Sequence, residues 1–248
     1  MAPRAPRSVV SVAPGVVFVE GPVSNWVILA EEDGVALIDA GYPADTDLVL
    51  DSVLLAGHDL EDLRRVYVTH GHVDHVGGLP GILARFPHVE VLAHADEVAN
   101  VRGPARQQVT PAEIGGRLAS VRVARWLGAA VASKALVPVT VPSARAFTAR
   151  DFDGRAMSPL PAPGHTSGST AYLLPAADAI VTGDAVVTHH DTQPASWAPR
   201  PRMITSFFTA DQEAALDSAR VLPYPEIVLP GHGPAVHRVG REWVPIGR

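Results

Sequence analysis

The stretch Thr69-His70-Gly71-His72-Val73-Asp74-His75 places three histidines and an aspartate within six positions, directly after a predicted strand at Arg65–Thr69. In extended backbone, side chains two residues apart point the same way, so His70 and His72 can bind one metal ion together. Asp74 and His75 lie further round the turn and are directed at a second position. This spacing differs from the helical histidine pair of the His-Glu-x-x-His zinc proteases, so the sequence predicts a metal site at the end of a strand.

Three further segments share one design, in which a glycine and a ligand-type side chain lie next to the end of a strand. They are Pro163-Gly164-His165-Thr166-Ser167-Gly168-Ser169, Thr182-Gly183-Asp184 and Pro230-Gly231-His232-Gly233. Together with the first stretch they supply five histidines and two aspartates. Such a set of nitrogen and oxygen ligands is enough for two divalent ions of the zinc, manganese or iron type.

The remaining apolar runs predict short strands alternating with helices. Strands are predicted at Val16–Glu20, Asn25–Ala30, Val35–Asp39, Arg65–Thr69, Val89–Leu92, Ala156–Leu160, Ser169–Leu174, Ala179–Thr182 and Ile227–Leu229, and helices at Asp45–Leu55, Leu79–Arg85 and Asp211–Val221. Two segments depart from this alternation. Asp96–Ala149 has a helical pattern that fits either an amphipathic surface helix with solvated arginines, the commoner case, or a helical cap over a site. His189–Ile204 is a long loop. We expect both segments, including Trp126 and Trp197, to shape a substrate pocket.

Composition excludes several classes of protein. The chain has 248 residues, of which 47% are hydrophobic and 19% charged, so wholesale disorder is excluded. Its net charge of −6 argues against a nucleic-acid partner, and no apolar run is long enough to span a membrane. Pro3, Pro6 and Pro14 interrupt the start of the chain, so we expect no signal peptide and a cytoplasmic location. Without cysteine, disulfides and thiolate metal ligands are excluded, so any metal is held by histidine, carboxylate and water.

The four ligand segments, in this order, resemble the metallo-β-lactamase fold superfamily of metal-dependent hydrolases. The resemblance extends from Val35-Ala36-Leu37-Ile38-Asp39-Ala40-Gly41 to Gly233 and so covers nearly the whole chain. It implies an α/β fold, specifically a four-layer αββα sandwich of two facing mixed sheets with helices outside. We therefore expect residues 1–248 to form a single domain with a helical cap inserted at about 96–149.

The resemblance also assigns roles to the ligand residues. His70, His72 and His165 would hold the first metal, Asp74, His75 and His232 the second, and Asp184 would bridge both. This is the ligand set of the dinuclear, glyoxalase-II-like branch, which implies two divalent ions, zinc before iron or manganese. The implied reaction is cleavage of an ester, thioester or lactone bond of a small molecule by a metal-bridging hydroxide. Asp74 has a second expected task as a catalytic residue, which is to orient the hydroxide and deliver its proton to the leaving group.

Particular residues distinguish the alternative functions of such a metal site. Persulfide dioxygenases resemble this chain in the first-metal ligands but use one iron, whereas Asp74, His75 and His232 favour two ions and hydrolysis. A β-lactam hydrolase would more often carry a cysteine or serine near Asp184. True glyoxalase II continues with a helical glutathione-binding domain, whereas sixteen residues follow His232 here, so we expect that domain to be absent. Lactonases use a tyrosine beside the metals, and no tyrosine lies in the loop after Asp184, which weakens a lactone substrate.

We also expect outer partners, meaning residues that accept a hydrogen bond from a metal ligand. A metal-bound histidine usually donates the N–H of its other ring nitrogen to an oxygen atom. Asp39, Thr69 and Ser167 are the candidates, with Asp39 the first choice. An aspartate that only shapes the turn before Gly41 is an equally good interpretation of Asp39. His189 and His190 are within reach of a substrate, but we expect them to lie in a solvent-exposed loop.

Overall fold

Thirteen strands and seven α-helices are present in the residues that the computed structural model describes, which are 4–103, 107–117 and 119–247. The strands are β1 Ser8–Ala13, β2 Val16–Glu20, β3 Trp26–Glu31, β4 Gly34–Ile38, β5 Leu63–Tyr67, β6 Glu90–Ala93, β7 Arg145–Ala146, β8 Ser158–Pro161, β9 Thr170–Leu174, β10 Ala179–Gly183, β11 Ile227–Pro230, β12 Val236–Val239 and β13 Glu242–Pro245. The helices are α1 Thr46–Leu55, α2 Val73–Val76, α3 Leu79–Arg85, α4 Val98–Arg102, α5 Pro111–Gly115, α6 Val121–Ala132 and α7 Gln212–Val221.

The strands form two mixed sheets, each built from one continuous part of the chain. The first sheet runs β1 to β7 in sequence order, antiparallel from β1 to β4 and parallel from β4 to β7. The second sheet has the order β13-β12-β11-β10-β9-β8. In it the pair β10–β11 is parallel and the other pairs are antiparallel.

Alternate residues of the central strands face opposite sides of the sheet, and both sides are buried. In β4, Ala36 and Ile38 belong to the apolar layer between the two sheets, whereas Val35 and Leu37 pack in a second cluster with α1 and α3. The outer face of the second sheet forms a third cluster, in which Leu222 at the end of α7 is buried. The layers are helix, sheet, sheet and helix, which confirms the predicted αββα sandwich.

The segment between β6 and β7 is helical and contains α4, α5 and α6. The helical pattern predicted for Asp96–Ala149 is thus present up to Ala132 in the part that is described, whereas the end of this range contains β7; residues 104–106 and 118 lie outside the description. The longest of its helices, α6, has twelve residues. Within the described ranges, no helix combines the length and the apolar character needed to cross a membrane.

The structure differs from the prediction mainly at strand ends and at the edges of the sheets. The predicted strand Val35–Asp39 corresponds to β4, but β4 ends at Ile38 because Asp39 has a φ of 65° and the chain turns there. Strands β1, β12 and β13, which lie at or next to the edges of the sheets, were not predicted. They carry exposed or half-buried residues throughout most of their length, so they lack the apolar runs that predict a buried strand.

Candidate metal centre

The four ligand segments meet at one edge of the sandwich. The chain leaves β5, β10 and β11 at this edge, and β9, which is antiparallel to β10, begins there. A backbone hydrogen bond from Thr170 N to Thr69 O, 2.9 Å long, joins the two sheets at this point. In the second sheet, Gly231 N donates to Gly183 O over 2.8 Å. All seven residues predicted as ligands are therefore brought together by strand ends.

His70, His72 and His165 form the first group of candidate ligands. All three are buried, and their ring centroids lie 4.6 Å apart in each pair. The nitrogen His165 Nε2 lies 3.0 Å from His72 Nδ1. One ligand atom from each histidine lies within 4.8 Å of those of the other two, which is compact enough for a single ion.

Asp74, His75 and His232 form a second group with the same compactness. Asp74 Oδ2 lies 3.2 Å from His232 Nε2 and 3.7 Å from His75 Nε2. The two histidines are buried, whereas the Asp74 side chain is 14% exposed. Asp74 is thus the least buried of the seven candidate ligands.

Asp184 lies between the two groups. Its Oδ1 is 3.5 Å from His75 Nε2, and its Oδ2 is 3.5 Å from His165 Nε2 and 3.3 Å from His232 Nε2. Asp184 also shares a third compact group with His70 and His75. Its carboxylate contacts histidines of both sets, which is the position required of a bridging ligand.

Unpartnered buried atoms provide a test of whether these residues fit metal ions. In the described part of the chain, His70 Nε2, His75 Nε2 and Asp184 Oδ1 are buried and have no hydrogen-bond partner. Leaving a buried polar atom without a partner costs about 1–3 kcal/mol, so such atoms are rare unless something binds them. These three residues each offer a ligand atom within 4.8 Å of those of the other two. The donor set therefore fits divalent ions.

The protonation states differ between the two groups. Burial lowers the pKa of His70 and of His72, and it lowers that of His165 to about 3, so these histidines are neutral and able to bind a metal.

Around the second group, burial lowers the pKa of His232, but Asp184 and Asp74 raise it further, to about 10. The carboxylates raise the pKa of His75 well above its usual value in the same way. Two carboxylates here are balanced by two cationic histidines, an arrangement in which a divalent cation can replace the protons.

Most candidate ligand histidines have an oxygen partner at their second nitrogen. His75 Nδ1 lies 2.8 Å from Asp39 Oδ2, and His70 Nδ1 lies 3.1 Å from Thr69 Oγ1, which confirms Asp39 and Thr69 as outer partners. The predicted role of Ser167 is wrong, because its hydroxyl donates to a backbone carbonyl, that of Asp96. His232 Nδ1 donates to the backbone carbonyl of Val23, 2.9 Å away. These contacts fix the ring orientations.

Glu97, which the sequence analysis did not select, connects the two loops that carry the first group. It is completely buried and accepts four hydrogen bonds. Its Oε1 accepts from Gly71 N at 2.7 Å and from Asn100 Nδ2 at 2.9 Å. Its Oε2 accepts from Gly168 N at 2.9 Å and from Thr166 Oγ1 at 2.8 Å. The carboxylate thus holds the loop of His70 and His72 against the loop of His165.

Replacing Glu97 by glutamine is expected to lower the free energy of unfolding by about 1–3 kcal/mol. Each carboxylate oxygen accepts from a backbone N–H, one from Gly71 and the other from Gly168. In either orientation of the glutamine amide, its NH₂ group therefore faces one of these N–H donors and leaves it without an acceptor. Chemical denaturation of the metal-free proteins measures the change. Glu242→Gln, on the exposed part of β13, is the matched control. Equal stability of the Glu97 variant and the parent would show that this carboxylate does not hold the loops.

A cavity of about 170 Å³ opens beside the two groups. Helices α5 and α6 contribute Ile114 and Trp126 to its wall, and the loop after Asp184 contributes His190 and Ile204. The prediction that Trp126 shapes this pocket is confirmed. The prediction for Trp197 is wrong, because this side chain is 48% exposed, lies outside the cavity wall and stacks against Arg202.

Two residues that line the cavity, His190 and Tyr42, were not predicted to do so. His190 was expected to be exposed to solvent, but it is buried, with its ring 4.7 Å from that of His232. Tyr42 lies far from Asp184 in the sequence but lines the same cavity. Burial, together with the carboxylates of Asp74 and Asp184, raises the pKa of Tyr42, so its hydroxyl stays protonated. A tyrosine therefore lines the cavity, although none lies in the loop after Asp184.

Comparisons with known proteins agree with this architecture. A family model described as the metallo-beta-lactamase superfamily matches residues 19–232. The probable metallo-hydrolase YflN of Bacillus subtilis is 26% identical over 214 residues, which are 82% of this chain and 77% of that protein. A hydroxyacylglutathione hydrolase of Vibrio parahaemolyticus is 36% identical over 93 residues, 38% of this chain and 32% of that one. A solved metallo-beta-lactamase of Cronobacter sakazakii with a HARLDQ motif has the same fold, with a TM-score of 0.60, 20% identity, and coverage of 93% of this chain and 80% of that one.

Proposed function

Since this chain belongs to the metallo-beta-lactamase superfamily of metal-dependent hydrolases, we propose that it binds two divalent ions, zinc in the first place, and cleaves an ester, thioester or lactone bond of a small molecule. The observation that carries the proposal is the arrangement of the seven ligand residues, six of them in two compact groups and Asp184 in contact with histidines of both. The first ion would be held by His70, His72 and His165. The second would be held by Asp74, His75 and His232, with Asp184 between the two.

Two bound ions would lower the pKa of their water to about 7 and so supply hydroxide at neutral pH. In the reaction, the oxygen of water forms a bond to the acyl carbon and the bond to the leaving atom breaks. Asp74 lies at the cavity wall with its carboxylate partly open, so it can take one proton from the water and pass it to the leaving atom. The other proton leaves with the acid product.

Asp74 can perform this task because its position and its charge are both fixed. Ser24 Oγ donates to the backbone carbonyl of Asp74 over 2.6 Å, which holds the residue at the rim of the cavity. Burial raises the pKa of the Asp74 carboxyl, but the nearby His75 and His232 lower it by more, so the carboxylate is ionised at neutral pH.

The complete second group favours hydrolysis over the single-iron dioxygenase chemistry that the sequence left open. A single-iron enzyme needs the first group alone, whereas here Asp74, His75 and His232 lie as close together as the first three histidines. The partial match to a hydroxyacylglutathione hydrolase supports a thioester among the candidate substrates.

Protein prepared without chelator is expected to contain two equivalents of divalent metal per chain by elemental analysis. His232→Ala should retain about one equivalent, because it removes a ligand of the second group alone, whereas His58→Ala, outside the site, should retain two. One iron per chain together with consumption of dioxygen would contradict the proposal and favour the oxygenase.

A further inference from the structure

The wall of the cavity beside the metal centre is apolar over most of its surface. The side chains of Ile114, Trp126, Leu127, Leu136, Ile204 and Phe208 contribute to it, and the candidate ligands lie at one end. Trp126 and Phe208 pack with their rings 5.1 Å apart and form one continuous patch. A substrate whose reacting group reaches the metals must therefore lay its remaining part against apolar side chains.

Charge on the wall is unfavourable to an anionic substrate tail. Within the described part of the chain, no lysine or arginine belongs to the cavity lining. Two nearby arginines are directed elsewhere: the Arg117 guanidinium lies 3.9 Å from the centre of the Phe207 ring, and Arg122 donates to the carbonyl of Thr192. A carboxylate or phosphate placed against the apolar part of this wall would lose its hydration without gaining a lysine or arginine partner among the described lining residues.

His190 is a polar side chain on this wall, and its tautomer is determined by its neighbour. The backbone N–H of Thr192 donates to His190 Nδ1 over 3.3 Å, so Nδ1 is an acceptor and the ring proton of the neutral histidine lies on Nε2. The His190 ring lines the cavity. A neutral N–H donor suits a neutral acceptor such as a carbonyl oxygen.

The size of the cavity limits the length of the substrate tail. At about 170 Å³ it is smaller than the roughly 300–1,000 Å³ of pockets for drug-sized ligands. An apolar protein cavity of about 150 Å³ holds benzene, so the space corresponds to roughly six carbon atoms.

We propose that the substrate is a carboxylic acid derivative whose acyl part is an uncharged hydrocarbon group of about six carbons, packed against Trp126 and Phe208. This inference rests on the proposed hydrolase function and makes it more specific. It excludes substrates with an anionic acyl part, such as the half-ester of a dicarboxylic acid.

The test is a series of 4-nitrophenyl esters with straight acyl chains from two to ten carbons and one common leaving group, offered to the metal-loaded protein. kcat/KM should rise about fourfold per methylene, as expected for burial of a hydrocarbon segment, and level off near six carbons. The adipoyl half-ester, which ends in a carboxylate, should be at least about 100-fold poorer than the hexanoyl ester.

Substitutions test whether this chain-length preference depends on the side chains of the cavity wall. Trp126→Ala should move the plateau to longer chains by about two carbons or more, because it enlarges the cavity. Trp197→Ala is the matched control, since that tryptophan lies outside the cavity and should leave the chain-length profile unchanged. If Trp126→Ala does not fold, Phe208→Leu should give a smaller shift in the same direction.

A binding measurement separates this inference from the proposed function. The ligands are straight-chain amides from butanamide to octanamide, and only their binding is measured. Their Kd for the metal-free protein should fall about fourfold per methylene and level off near six carbons, as kcat/KM does for the esters. Hydrolysis without any dependence on chain length, or a preference for the adipoyl half-ester, would overturn the inference and leave the hydrolase function in place. Binding of the amides without hydrolysis of any ester by protein carrying two ions would overturn the function instead.

Discussion

Replacing Asp74 by asparagine is expected to lower kcat by about 10²–10⁴-fold for substrates with poor leaving groups, even when both ions are bound. The substitution keeps the shape of the side chain but removes its ability to accept and deliver a proton. Asp74 also lies 3.2 Å from His232 Nε2, so the variant is expected to bind the second metal more weakly. Rates must therefore be measured at saturating metal, with the metal content determined in the same samples.

The leaving group distinguishes proton transfer from a purely structural effect. An aryl ester departs without protonation, so the loss for Asp74→Asn should shrink for an aryl ester compared with the alkyl ester of the same acid. Asp217→Asn, on the exposed face of α7, is the matched control and should leave both rates unchanged. Full recovery with added metal, for poor and good leaving groups alike, would leave Asp74 as a ligand alone.

Gly231→Ala is expected to lower activity by at least about 10²-fold, the typical cost of moving a catalytic group by 1 Å. A Cβ at this position would lie 2.3 Å from Asp184 Oδ1 and 2.8 Å from His75 Cε1, closer than any real contact. The backbone cannot move away easily, because Gly231 donates to Gly183 O and its own carbonyl accepts from Asn25 N. The carboxylate that we propose to bridge the two ions must therefore shift, and the metal content should fall below two equivalents.

The control for this substitution is Gly128→Ala on α6, where an added Cβ meets nothing within 4 Å. This exposed helical position should gain about 0.5–1 kcal/mol in the free energy of unfolding, because alanine favours helix over glycine, with activity and metal content unchanged. Gly231→Ala with normal metal content and activity would show that the crowded carboxylate is free to rearrange.

The sequence could predict the sandwich and the clustering of the seven candidate ligands because both follow from local patterns. Short apolar runs identify the buried strands, and ligand-type residues at their ends meet once the strands lie side by side. Asp39 was recognised for a related reason, since it directly follows a buried strand. Its left-handed backbone, with a φ of 65°, was not predicted, because that conformation is rare outside glycine and arises here from the surrounding contacts.

The parts of the site that could not be predicted depend on contacts between distant residues. Glu97 accepts hydrogen bonds from Gly71 and Gly168, which are 26 and 71 positions away, and no spacing rule connects the three. Tyr42 and His190 reach the cavity from loops whose paths are fixed only by packing. His190 was expected to be exposed because loops usually are, whereas here aromatic neighbours bury it.

The division of the two sheets between the two parts of the chain has a thermodynamic consequence. The first sheet ends at Ala146 and the second begins at Ser158, so His70, His72, Asp74 and His75 belong to one part, and His165, Asp184 and His232 to the other. Neither part holds a complete ligand group, so an ion bound as proposed would bind only the joined form. Because binding and association are linked, each such ion adds about 2.7 kcal/mol to the free energy needed to separate the sheets when its free concentration is 100 times its Kd. The concentration of free metal would then determine how stably the two sheets associate as well as the hydrolytic activity of the site between them.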